Sequence, residues 1–140
     1  MNKRIIGKKQ LAFIIKNEYG ELLGYYCNTQ IIEEYDEEND FEYQSTDKNS
    51  FHFNFNITRR LKNGPRKYQV KNKEEGGYSL YKVTDYHLIK LGDITIYKNK
   101  WKNESCCYPN KTHFNYNNLK KPLGDYDYFV PHRIVVLQLQ

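Results

Sequence analysis

Residues Leu11–Tyr26 read LAFIIKNEYGELLGYY, in which two apolar runs flank the short polar break KNEYGE at residues 16–21. Apolar runs separated by such a break are typical of two antiparallel strands joined by a tight turn. The sequence therefore predicts a β-hairpin at this position. Gly24, inside the second run, indicates a close backbone approach or a β-bulge within the sheet.

Strict alternation marks a further strand at residues 51–58, FHFNFNIT. Phe51, Phe53, Phe55 and Ile57 fall on one face, and a polar face that begins at His52 lies opposite. A period of two residues is typical of a half-buried strand. We expect the phenylalanine face to pack into the core and the polar face to meet solvent.

The rest of the chain repeats the strand pattern. Tyr78–Val83 and Asp93–Lys98 are candidate strands, and Arg133–Gln140 begins apolar on both faces, as in a central strand that is covered on both sides. No run of twelve or more residues shows a helical stripe of apolar residues. We predict a mainly β protein of two packed antiparallel sheets.

Polar segments separate these strands. Residues 32–43 form an acidic segment, residues 59–67 a basic segment with a Gly-Pro turn signal, and residues 71–77 a third loop. Because the opposite charges lie in separate loops, the formal net charge of +5 describes a dipolar surface. The 140 residues are enough for one domain with its own core, so the prediction is a single domain over residues 1–140.

Composition indicates a folded, cytoplasmic protein. Hydrophobic residues make up 39% of the chain and charged residues 28%, both ordinary for a globular domain. No segment approaches the roughly 18 apolar residues of a membrane span, and the run at residues 11–15 is too short for the core of a signal peptide. In a reducing compartment we expect Cys27, Cys106 and Cys107 to be free thiols, with no bridge between the adjacent pair.

Metal and catalytic motifs are weak. The acidic segment offers carboxylates for Ca²⁺, but Phe41 follows Asp40 where a calcium loop needs glycine, so a solvated loop is favoured. Cys106 and Cys107 with His113 offer zinc ligands, yet structural zinc takes cysteines two to four residues apart, and adjacent cysteines on a strand point to opposite faces. No phosphate-binding or hydrolase motif occurs in the sequence. The prediction is a protein without catalytic residues, metal or cofactor, and not an enzyme.

Two other functions stay open. Cations of the basic loop 59–67, next to aromatic residues such as Tyr68, offer a nucleic-acid-binding or other interaction surface; they are Arg59, Arg60, Lys62, Arg66 and Lys67. A nucleic-acid-binding sheet shows aromatic side chains on its solvent face, and the expected core placement of the phenylalanines argues against it. The other open hypothesis is a redox-active protein in which a cysteine thiol is the sacrificial or signalling group.

A series of short motifs extends nearly from end to end, over about residues 4–139. In chain order they are Ile6–Ile15, Leu22–Tyr26, Asn49–Phe55, Leu91–Tyr97, Ser105–Tyr108, His113–Tyr116 and Phe129–Leu137. In this order they resemble the TLDc domain, the oxidation-resistance family. The family's Phe-Gly step in the second strand is matched here by Leu23-Gly24.

This resemblance implies a two-layer antiparallel β-sandwich with a few short helices and a role in the oxidative-stress response without a catalytic centre. It also implies a protein partner, with subunits of the vacuolar ATPase as the family's example. The chain departs from the family at Val135-Val136-Leu137, which lacks the closing acid and aromatic, and it starts almost at the first hairpin. A missing leading segment predicts an open apolar strip or strand edge, and hence possible self-association or a requirement for a partner.

Overall fold

The structure is a computed structural model that describes residues 2–33, 41–55, 65–81, 87–98 and 105–139. Its elements are α1 (Asn2–Ile5), β1 (Leu11–Asn17), β2 (Leu22–Cys27), β3 (Phe41–Gln44), β4 (Phe51–Asn54), β5 (Arg66–Gln69), β6 (Tyr78–Tyr81), β7 (His87–Leu91), β8 (Ile94–Tyr97), β9 (Ser105–Cys107), β10 (Tyr128–Phe129) and β11 (Pro131–Gln138). Within these ranges no helix is long and apolar enough to cross a membrane.

The described residues form two antiparallel sheets. One has five strands in the order β11-β1-β2-β4-β5, and the other has six in the order β10-β9-β8-β7-β6-β3. A core of aliphatic and aromatic side chains from both sheets lies between them. The predicted fold class, a mainly β two-layer sandwich, is confirmed.

The predicted hairpin of β1 and β2 is present. Leu11 pairs with Cys27 and Ile15 with Leu23. In the connecting turn the side-chain Oδ1 of Asn17 accepts hydrogen bonds from the backbone N–H groups of Tyr19 at 3.0 Å and Glu21 at 2.9 Å. An asparagine side chain that bonds the backbone two residues on stabilises a turn, here the predicted connection of the hairpin.

The faces of β4 are the reverse of the prediction. His52 is 0% exposed and Asn54 4% exposed, whereas Phe51 and Phe53 are half-buried and Phe55, just past the strand, is 41% exposed. The expectation that the phenylalanines pack into the core is therefore wrong. An alternating pattern indicates that the two faces of a strand differ in polarity, but the register with neighbouring strands determines which face is buried.

The register gives the physical reason. His52 stands between Tyr25 of β2 and Tyr68 of β5, and both tyrosines are buried in the core. Phe53 stands between Gly24 and Lys67 in the adjacent row, which faces away from the six-stranded sheet. Placing Phe53 inward would turn the whole of β4 over and remove His52 from its buried partners.

The last strand was predicted to be central and covered on both sides, and this is also wrong. Among the described residues β11 pairs with β1 alone, so it is an edge strand. Val135 is half-buried, and Leu137 and Leu139 are 45% and 47% exposed. Among the described residues, the outward apolar residues of β11 thus form part of the protein surface.

Two segments interpreted as loops contain strands. Residues 41–43 of the acidic segment lie in β3, which pairs with β6, and Arg66 and Lys67 of the basic segment lie in β5, which pairs with β4. The predicted loop at residues 71–77 is confirmed as a series of turns. Residues 34–40 and 56–64 lie outside the described residues.

Candidate functional site

Aromatic side chains form a row on the outward side of the five-stranded sheet. The ring of Tyr26 lies 4.9 Å from that of Phe51, Phe51 lies 6.2 Å from Phe53, and Phe53 lies 5.2 Å from Phe55, all between ring centroids. Lys67 places its Nζ 4.1 Å from the centroid of Phe51. These contacts are edge-on or tilted, the geometry that ring quadrupoles favour.

The strand register extends this row into a continuous surface. One line of paired residues runs Leu137, Ala12, Tyr26 and Phe51 across four strands, and the next runs Val135, Ile14, Gly24 and Phe53. We call this surface the outer apolar face, defined by Leu137, Val135, Ala12, Ile14, Tyr26, Phe51, Phe53 and Phe55.

The missing side chain of Gly24 leaves room for the ring of Phe53 on the outer apolar face. A Cβ atom at this position would lie 2.3 Å from Cζ of Phe53 and 2.1 Å from the carbonyl oxygen of Phe13. The register of β1 with β2 runs past Gly24 without a shift. Of the two roles predicted for this glycine, close approach is therefore the one observed, with the ring of Phe53 in the space that a side chain would need.

Cations lie at the margins of the outer apolar face. Lys16 and Arg133, which pair across β1 and β11, are exposed at one end, and Lys67 is exposed on β5. Of the predicted interaction set, Lys67 lies on this face, but Arg66 is half-buried and pairs with the inward-facing Asn54. The two side chains therefore point to opposite sides of the sheet.

The other members of that set, Arg59, Arg60 and Lys62, lie outside the described residues. The part of the chain that the structure describes therefore does not unite the predicted basic set on one surface.

A second candidate is a buried polar cluster around Asp93, which is 8% exposed. Its Oδ2 accepts hydrogen bonds from the hydroxyl of Tyr116 at 2.7 Å and the backbone N–H of Asn110 at 2.9 Å, and its Oδ1 lies 2.7 Å from Nδ1 of His113. Its own backbone N–H donates to Nε2 of His52 at 3.1 Å. The cluster thus joins a turn of the six-stranded sheet to β4 of the other sheet.

The protonation state of His52 follows from these contacts. Because Nε2 accepts from Asp93, the proton of the neutral ring is on Nδ1, which donates to the carbonyl of Gly24 at 3.0 Å. Complete burial lowers the pKa of His52 from 6.5 to about 4, against an opposing effect of the nearby Asp93 carboxylate. Burial followed by the charge of Asp93 raises the pKa of Tyr116, so this hydroxyl stays a donor.

The chemistry open to this cluster is limited. Asp93 orients His113 as a carboxylate orients a catalytic base, and Nε2 of His113 lies 3.8 Å from a carboxylate oxygen of Glu75. Within the described ranges, no hydroxyl or thiol is hydrogen-bonded to His113. The arrangement supplies an oriented imidazole between two carboxylates, and its evident effect is to hold the two sheets together.

The cysteines lie apart, as adjacent residues on a strand must. Cys107 is in the core cluster and Cys106 is on the opposite side of β9, and both, with Cys27, are free thiols. Burial raises the pKa of each thiol, that of Cys107 most, where nearby Asp93 adds to the effect. A raised pKa disfavours the reactive thiolate. Among the described residues, no group of three or more His, Cys, Asp or Glu side chains could hold a metal ion.

Sequence reasoning missed the cluster around Asp93 and the exposure of the outer apolar face. The sequence indicates His113 as a possible zinc ligand and Asp93 as the start of a strand, and both lie in motifs of the family resemblance, but neither pattern predicts that they contact each other. No local pattern links positions 52, 93, 113 and 116, because strand pairing brings them together. Comparison with known proteins found no matching family model, no matching curated protein and no matching solved structure.

Proposed function

We propose that this chain is a non-catalytic binding domain that docks a protein partner on the outer apolar face. The observation that carries the proposal is the outward row from Tyr26 to Phe55, which is half-buried as far as Phe53 and exposed at Phe55, continued by the half-buried Ile14 and Val135 on the neighbouring strands. A contiguous exposed apolar surface with a polar margin is typical of a protein interaction site.

The distribution of charge favours a protein over a nucleic acid as the partner. Protein interfaces have an apolar, aromatic-rich centre from which lysine and acidic residues are depleted, with charges at the rim. Lys16, Arg133 and Lys67 lie at the ends of the outer apolar face, and its two central lines carry no charge as far as Phe53. A phosphate backbone would instead need cations along its path.

The family resemblance supplies the biological part of the proposal. A TLDc-like domain of the cytoplasm would act in the oxidative-stress response through a protein partner, for which subunits of the vacuolar ATPase are the family's precedent. Support comes from the motif order in the sequence and from the two-layer sandwich that the resemblance implied. Among the described residues β11 pairs with β1 alone, so its other edge, beside Leu137, is a place where a partner strand or a second copy can pair.

The test compares two double variants in a binding assay with purified vacuolar ATPase subunits and in capture from cell extract. Phe51→Ser with Phe53→Ser removes the centre of the outer apolar face. Tyr19→Ser with Tyr126→Ser removes two stacked, exposed rings elsewhere and serves as the matched control. We expect the first variant to lose the partner and the control to keep it. Equal binding by both variants would exclude the outer apolar face as the docking site.

A second candidate function is binding of single-stranded nucleic acid, and the corrected orientation of β4 favours it. Phe51 and Phe53, which the sequence pattern predicts to be buried, face outward. The four rings from Tyr26 to Phe55 are spaced 4.9–6.2 Å apart beside Lys67, which is a platform on which successive bases can stack.

Fluorescence anisotropy with a labelled oligouridine at two salt concentrations tests this second candidate. Stacking predicts binding that weakens as salt rises and that falls by at least about fivefold in Phe51→Ser, since one base stacked on a ring contributes roughly 1–3 kcal/mol. Absence of binding at low salt would leave the protein partner as the sole proposal.

A further inference from the structure

A concave cavity of about 610 Å³ lies at the other side of β11, between this strand and the N-terminal segment. Its described lining is apolar at Ile5, Leu11, Ile134 and Val136, charged at Arg4 and Lys8, and polar without charge at Gln138. Ile134 and Val136 point to the inward side of β11, opposite Val135 and Leu137 of the outer apolar face. The cavity is therefore separate from the proposed docking surface.

The wall that carries the cations is fixed in place. The backbone N–H of Gly7 donates to the carbonyl of Ile31 at 2.7 Å, and the N–H of Ile31 donates to the carbonyl of Lys8 at 2.8 Å. Gly7 has a φ of 81°, which a side chain would make costly, so the chain turns sharply between α1 and β1. Ile5 is 4% exposed and anchors α1 against the core. Backbone hydrogen bonds and the burial of Ile5 therefore hold this wall of the cavity.

Polarity divides the cavity into two parts. Ile5 and Leu11 form an apolar floor that is buried in the core, and half-buried Ile134 and Val136 continue it toward solvent. Arg4 and Lys8 are exposed at the mouth, and among the described residues that line the cavity none is acidic. A ligand that matches both parts has a negatively charged head and an alkyl body.

We propose that this cavity binds an amphipathic carboxylate of the medium-chain fatty acid type. Volumes of about 300–1,000 Å³ are usual for small-molecule sites, which are mostly apolar with a few polar groups that fix orientation. The planar guanidinium of Arg4 suits a carboxylate through paired hydrogen bonds, and Lys8 adds a point charge. The alkyl chain covers Ile134 and Val136, which the fold leaves half-buried.

Isothermal titration calorimetry with dodecanoate, well below its micelle concentration, tests the proposal on the full chain. Butyrate has the head without the chain, and the dodecyltrimethylammonium ion has the chain with the opposite charge. We expect saturable binding of dodecanoate and none of the other two. Comparable binding of the cationic amphiphile would overturn the proposal, because it would show apolar adsorption without charge recognition.

Two double variants locate the site. Arg4→Gln with Lys8→Gln should weaken dodecanoate binding about tenfold or more, as expected for lost charge-assisted hydrogen bonds. Lys48→Gln with Lys120→Gln removes the same charge from exposed positions outside the cavity and away from the outer apolar face, and it should leave the affinity unchanged. Equal affinity in the two variants would contradict the site, and matching unfolding midpoints show that both are folded.

A second amphiphile, dodecyl phosphate, shows whether the site requires a carboxylate or accepts any anionic head group. Dodecyl phosphate that binds within about threefold of dodecanoate would support the site and define its ligand as an alkyl chain with any anionic head. Binding of the phosphate alone would overturn the carboxylate assignment. Val136→Glu, which places a carboxylate in the lining, should abolish binding of either anion, and retained affinity in this variant would also refute the cavity.

Discussion

The two sides of β4 differ in an unexpected way, because the buried side is polar and the outward side is apolar. The inward side carries the polar His52 and Asn54, each hydrogen-bonded, with Asn54 donating to the carbonyl of Pro122 at 3.1 Å. The outward side carries Phe51 and Phe53, half-buried against each other and against neighbouring strands. A polar side chain can be buried in a core when it has hydrogen-bond partners there, and an apolar side chain can remain at the surface.

The two sides of β4 should also differ in what they affect, with the inward side important for stability and the outward side for binding. The inward side of β4 takes part in contacts that hold the two sheets together, so changes there should act on unfolding. The outward side contacts its own sheet, so changes there should act mainly on binding. Each of the following variants tests that division, beginning with the largest expected effect.

His52→Ala should lower the free energy of unfolding by about 3–5 kcal/mol, since it leaves a cavity and removes the partners of Gly24 O and Asp93 N. Phe53→Ala on the other side of the strand should cost only about 1–2 kcal/mol, because its ring is half-buried. Urea denaturation measures both. If Phe53→Ala were the more costly change, the assignment of the two sides would be reversed.

Acid should remove the contribution of His52. Its pKa in the folded protein is about 4, below the ordinary 6.5, so the unfolded chain gains a proton first as the pH falls. The stabilisation is complete above pH 6.5 and is lost between pH 6.5 and about 4, amounting to about 3 kcal/mol. Denaturation at a series of pH values should show a shallower slope in His52→Gln, and an unchanged slope would contradict a buried neutral histidine.

Gly24→Ala should destabilise the protein by about 1–3 kcal/mol, because the new methyl group meets the ring of Phe53 and the carbonyl of Phe13. Combining it with Phe53→Ala relieves the contact with the ring but not with the carbonyl. We therefore expect the double variant to be more stable than the sum of the single effects. Strict additivity in thermal unfolding would show that the ring does not lie over Gly24.

Lys67→Gln should have the smallest effect on stability, about 0.5–1 kcal/mol, through loss of the cation above the ring of Phe51. The same change should have no effect in Phe51→Leu, which lacks the ring. A larger cost for Lys67→Gln, retained without the ring, would mean that Lys67 stabilises the fold by another contact.

Local sequence patterns determined the strands and their class. Apolar runs around a polar break predicted β1 and β2, alternating residues predicted β4 and β8, and the lack of a helical stripe predicted a mainly β sandwich, all of which the structure confirms. The opposite placement of Cys106 and Cys107 follows from the same period of two. These features depend on neighbouring residues alone, so one sequence is sufficient to predict them.

Tertiary structure decided which side of each strand turned inward. Alternation is unchanged when a strand is turned over, so only the pairing of His52 with Tyr25 and Tyr68 could place it in the core. The cluster around Asp93 and the edge position of β11 likewise depend on contacts between residues far apart in the chain. Whether a side chain is buried depends on the strands and the second sheet that pack against it, and a period of two residues in the sequence does not specify those contacts.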